Sequence, residues 1–73
     1  MKYYQRKISD ALSKLGRKDI HPRHVEAFMR DSNGGTLDRL SPKAFATAVD
    51  ISVMYIDEVG TDAAEMLARS YGI

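Results

Sequence analysis

The chain has 73 residues, a formal net charge of +1, and neither cysteine nor tryptophan. That length holds one domain with a single small core, and the missing cysteines exclude disulfides, thiolate zinc sites and thiol nucleophiles together. No apolar run approaches the ~18–20 residues of a membrane span, and the start MKYYQRKISD has no apolar centre of a signal peptide, so a soluble cytoplasmic protein with no membrane contact is expected.

The small net charge hides a division. Residues 1–32 carry eight Lys/Arg against four Asp/Glu, and residues 33–73 carry three against six. Such asymmetry marks either a nucleic-acid or membrane surface or two halves of one fold that attract each other.

From Lys2 to Leu15, the positions Tyr4, Ile8, Ala11, Leu12 and Leu15 repeat at helical spacing. Gly16 is placed to end that helix in a left-handed conformation. Ile20-His21-Pro22-Arg23-His24-Val25 then reads as a helix start. His21 is the N-cap, Pro22 takes the first helical position, and Ile20 with Val25 forms a hydrophobic staple. This helix runs through Ala27, Phe28 and Met29 to about Asp31, where Ser32-Asn33-Gly34-Gly35 is turn chemistry. A single helical turn is expected over Thr36–Leu40.

The same grammar recurs at Leu40-Ser41-Pro42-Lys43-Ala44-Phe45, with Ser41 as N-cap and Leu40 and Phe45 as the staple. The helix it opens runs to about Val59. Phe45, Ala48, Val49, Ile51, Val53, Tyr55, Ile56 and Val59 spread over most of its girth, far wider than the ~100° stripe of a surface helix. This is therefore the expected central helix, burying Phe45, Val49, Val53 and Ile56 against Ile8, Leu12, Phe28 and Leu67. Gly60 breaks it. Thr61 is the expected cap of a last helix, whose apolar side is Ala64, Leu67, Ala68 and Tyr71. The fold class is all-α, a compact bundle of four helices with an extra short turn, in one domain over residues 1–73.

Chemistry-bearing patterns are sparse. His21 and His24 are three apart, but zinc normally takes three or four protein ligands, and surface or capping roles are expected. Asp31 to Phe45 has a passing resemblance to an EF-hand calcium loop through Asp31, Asn33 and the run Gly35-Thr36-Leu37-Asp38. It lacks the fifth-position acid and the closing bidentate Glu. Gly34-Gly35 has neither the preceding strand nor the Lys-Ser/Thr of a phosphate loop. No enzyme, cofactor or metal is expected.

Residues 45–59 resemble the helix-turn-helix of Cro-like phage repressors through Ala46, Ile51-Ser52 and Ile56. That resemblance implies DNA binding by a second helix. Asp50 stands where the turn glycine belongs, and Ser52, Asp57 and Glu58 would face the bases with no Arg, Lys, Asn or Gln beside them. One unbroken helix is the expectation. Over most of its length, in HPRHVEAFMR, TLDRLSP and LARSYGI, the chain also resembles small uncharacterised helical proteins of bacteria and their phages, a likeness that implies no activity.

Two binding faces remain. The strip Thr47, Asp50, Met54, Asp57 and Glu58 shares one helix face, and a Met among acids suits an adaptable protein contact. Exposed Tyr3 and Met29 are expected to add to such a surface. The alternative is a nucleic-acid face of Lys2, Arg6, Lys7, Lys14, Arg17 and Lys18, extended by Arg23 and Arg30, with Tyr3 and Tyr4 for stacking. A protein-binding regulatory module is the leading expectation and a nucleic-acid-binding protein the alternative. Monomer and homodimer stay open.

Overall fold

The computed structural model describes residues 3–73. Four helices follow in order, α1 (Tyr3–Lys14), α2 (Pro22–Ser32), α3 (Pro42–Val59) and α4 (Thr61–Ser70). The fold is an all-α four-helix bundle, about 28 × 27 × 22 Å. No described helix is long and apolar enough to cross a membrane.

The local start signals act as the sequence expects. His21 Nδ1 accepts from the Arg23 amide at 3.1 Å, and Ser41 Oγ accepts from the Ala44 amide at 3.1 Å. Both caps satisfy amides that the first helical turn leaves unpaired. At the end of α1, Gly16 takes φ +71°, and the Arg17 amide reaches back to the Leu12 carbonyl at 2.9 Å. Thr61 does not cap α4. Gly60 is the junction residue for both α3 and α4, at φ +92° and ψ 165°, with no side-chain cap. A residue with a Cβ is strained there, and this one residue turns the chain from α3 into α4. Thr36–Leu40 forms a turn closed by Leu40 N–H to the Leu37 carbonyl at 3.3 Å, not a helix. It drives Leu37, which is 3% exposed, into the core.

The most enclosed helix is α2, not α3. Four consecutive α2 residues, His24, Val25, Glu26 and Ala27, are buried. Four consecutive positions cover the whole circumference of a helix, so α2 is walled in by α1, α3 and α4. The sequence hides this because two of the four are polar. His24 Nε2 meets Glu65 at 2.9 Å, and Glu26 accepts from Gln5 at 3.2 Å and Arg30 at 2.9 Å. Buried polar side chains demand such partners.

Helix α3 is unbroken through Asp50, Ile51 and Ser52, so the turn of a helix-turn-helix is absent there. Its buried residues are Phe45, Val49, Ser52, Val53 and Ile56, an arc of about 100°. The helix is thus amphipathic in the ordinary sense, and Ile51, Tyr55 and Val59 face outward. The core joins Phe45, Val49, Val53 and Ile56 to Ile8, Leu12, Ile20, Val25, Met29, Leu37 and Ala64. Phe28 and Leu67 are only half-buried. Leu15, expected on the buried stripe of α1, lies one residue past the helix and is exposed. Met29, expected at the surface, is fully buried.

Candidate functional site

Two arginines of the basic half pair with carboxylates of the acidic half inside the fold. Arg17, just after α1, grips Asp57 on α3 with two bonds of 2.7 and 2.8 Å and also holds Asp19 at 3.1 Å. Arg17 holds both carboxyls below the usual carboxylate range, and its own guanidinium is raised in return. Arg23 on α2 forks onto Glu65 of α4 at 2.8 and 2.9 Å, and Arg69 joins at 3.1 Å. Hydrogen bonds from His24 first, then Arg69 and Arg23, pull the Glu65 carboxyl down to about 2. The Tyr71 hydroxyl donates to Asp31 at 2.9 Å, and the Tyr4 hydroxyl donates to Asp38. Partners in both tyrosine bonds are carboxylates, which raise the phenol pKa values.

Part of the expected nucleic-acid face is engaged within the fold. Arg17, Arg23 and Arg30 are in ion pairs. Lys7 lies over the Phe45 ring at 4.3 Å and the Tyr3 ring at 5.5 Å, a cation–π arrangement. Among the described residues, Arg6, Lys14 and Lys18 form no ion pair, and Lys2 lies outside them. Tyr3 is exposed, whereas Tyr4 stacks on Phe45 with ring centres 6.5 Å apart.

The two histidines sit with ring centres 5.9 Å apart. His21 accepts the Arg23 amide on Nδ1, which puts its proton on Nε2. A metal at Nε2 needs that proton removed and a hydrogen on Nδ1, so capping and ligation oppose each other. His24 is buried, not the surface residue expected, with Nε2 committed to Glu65. No group of three or more metal-binding side chains gathers among the described residues. A cleft of about 460 Å³ opens here, lined by Asp19, Ile20, His21, His24, Ile56, Asp57, Gly60 and Thr61. Its four titratable side chains each engage another group of the fold. They act as mortar between the α1–α2 loop, α2 and the α3–α4 junction.

The acidic strip divides differently from its sequence reading. Thr47, Asp50, Met54, Asp57 and Glu58 are all exposed on α3, but Asp57 is taken by Arg17. Thr47 donates its hydroxyl to the Lys43 carbonyl at 3.1 Å. Asp50 and Glu58 pair with no described cation. Beside them lie apolar groups that the sequence pattern assigns to the interior. Of the seven large hydrophobics exposed among the described residues, Ile51, Met54, Tyr55 and Val59 fall within nine positions of α3. Tyr55 is held by stacking on Phe28, ring centres 6.1 Å apart. The sequence signal for this patch is the excess apolar girth of α3. It reads as burial because apolar content alone does not tell a core face from an exposed one.

Against known protein families, curated proteins and solved structures, the chain has no significant match.

Proposed function

We propose that the chain is a small non-enzymatic protein that acts by binding a protein partner through the outward face of α3. The observation that carries this reading is the cluster of Ile51, Met54, Tyr55 and Val59, from 44% to 69% exposed, on a helix whose opposite side already supplies the core. Contiguous exposed apolar surface marks interaction sites, whereas single exposed residues do not. Tyr55, fixed by Phe28, has the character of an interface anchor, since little side-chain freedom is left to lose on binding. The nucleic-acid alternative has less support, because Arg17 is committed to Asp57 and Asp19, and Lys7 to aromatic rings.

The test is capture from the native host with the tagged chain, its Met54→Asp variant and its Lys14→Ser/Lys18→Ser variant. Met54→Asp should lose the partner with an unchanged melting temperature, and Lys14→Ser/Lys18→Ser should keep it. Undiminished capture by Met54→Asp refutes the reading. Loss of capture only in the lysine variant moves the site to the basic half.

A further inference from the structure

We propose that the partner presents a basic amphipathic helix, which seats between two rows of side chains on α3. This rests on the protein-binding reading above and adds the chemistry of the occupant. Along an α-helix, residues four apart form ridges, and helices pack by setting the ridges of one into the grooves of the other. The outward face of α3 has two such ridges side by side. One is Lys43, Thr47, Ile51, Tyr55 and Val59, apolar from Ile51 onward. The other is Asp50, Met54 and Glu58, an exposed apolar side chain between two carboxylates.

Those carboxylates decide the sign of the partner. Neither Asp50 nor Glu58 pairs with a described cation, and α3 has no basic residue in its last turn. Glu58 therefore sits near the negative end of the helix dipole, where an acid is unfavourable. Asp57, its neighbour, is neutralised by Arg17, and Glu58 is left as it is. A cation from outside gains both the carboxylate and the helix end. The two acids are eight residues apart, about 12 Å along the axis. A second helix carrying Lys or Arg seven or eight residues apart, with an apolar row between, matches that spacing.

The same two residues argue against a second copy of this chain. An antiparallel two-fold pairing centred on Met54 sets Asp50 of one copy against Glu58 of the other, twice. A parallel pairing sets each acid against itself. Like charges meet in both, which disfavours association.

The experiment is an amide-resolved NMR titration of the full chain with two synthetic 18-residue helices. Both carry an apolar Leu row. One has Lys at flanking positions eight apart, and the other has Glu there. The Lys peptide should shift amides of residues 47–59 in a saturable way, and the Glu peptide should not. Asp50→Lys/Glu58→Lys, and more mildly Asp50→Asn/Glu58→Gln, should weaken the Lys peptide, about tenfold for the double reversal, with melting temperatures not lowered. Equal binding of both peptides overturns the inference, as does indifference to the charge variants or self-association of the chain through α3. If neither peptide binds while Met54→Asp still abolishes capture from the host, the basic helix is wrong and the protein-binding reading stands. If Met54→Asp leaves capture intact, both fall.

Discussion

Truncating Phe45 to Ala, beside the same truncation of Ile51, tests how α3 is divided between core and surface. Phe45 is 5% exposed and Ile51 is 44% exposed, although both are large apolar residues of one helix. Phe45 stacks on Tyr4 and lies under Lys7 at 4.3 Å. Its removal loses the transfer energy of the ring and leaves a cavity, about 3–5 kcal/mol. A domain of this size has roughly 4–11 kcal/mol in total, so Phe45→Ala forfeits a large share. At about 4–8 °C per kcal/mol, its melting temperature should fall by at least ~12 °C. Ile51→Ala should cost at most about 1 kcal/mol, because much of its surface is already in water. The assay is thermal and urea unfolding followed by far-ultraviolet circular dichroism on all three proteins. A melting temperature for Phe45→Ala within ~5 °C of the parent refutes the burial of Phe45. An Ile51→Ala loss as large as that of Phe45→Ala refutes the outward face of α3, and with it the docking surface.

Two further outcomes are expected. Glu65 has its folded pKa lowered to about 2 by His24, Arg69 and Arg23, so its stabilising contribution is complete above the ordinary carboxyl range and is lost as pH falls from about 5 towards 2. The urea midpoint of Glu65→Gln should therefore lie below the parent at pH 7 and converge with it near pH 2, and a gap that stays constant across that range contradicts the ion cluster. Ser52 lies mid-helix and is buried, so Ser52→Pro should cost ~3 kcal/mol or more, and a variant that melts with the parent would mean that α3 breaks near residues 50–52.

Where the helices begin and end is legible from short stretches of sequence. Ser41-Pro42 and His21-Pro22 open helices, and Gly16 and Gly60 close them, because capping and backbone strain involve only neighbours along the chain. The all-α class follows from the same signals. Burial is legible only in part. Phe45, Val49, Val53 and Ile56 lie inward as their spacing suggests, yet Ile51 and Tyr55 are as apolar and lie outward. Met29 is buried and Leu15 exposed, against the reading of each. His24 and Glu26 look like surface residues and sit in the most enclosed helix. What decides these positions is the approach of segments about 20 to 40 residues away: Gln5 reaching Glu26, Glu65 reaching His24, Arg17 reaching Asp57. The last of these also cuts the candidate site down, taking Asp57 and Arg17 out of two expected binding faces at once. A carboxylate near a Met on one helix face reads the same in sequence whether a distant arginine has claimed it or not. Only the packing of α1 and its following loop against α3 settles which acids of the strip, Asp50 and Glu58, pair with no described cation.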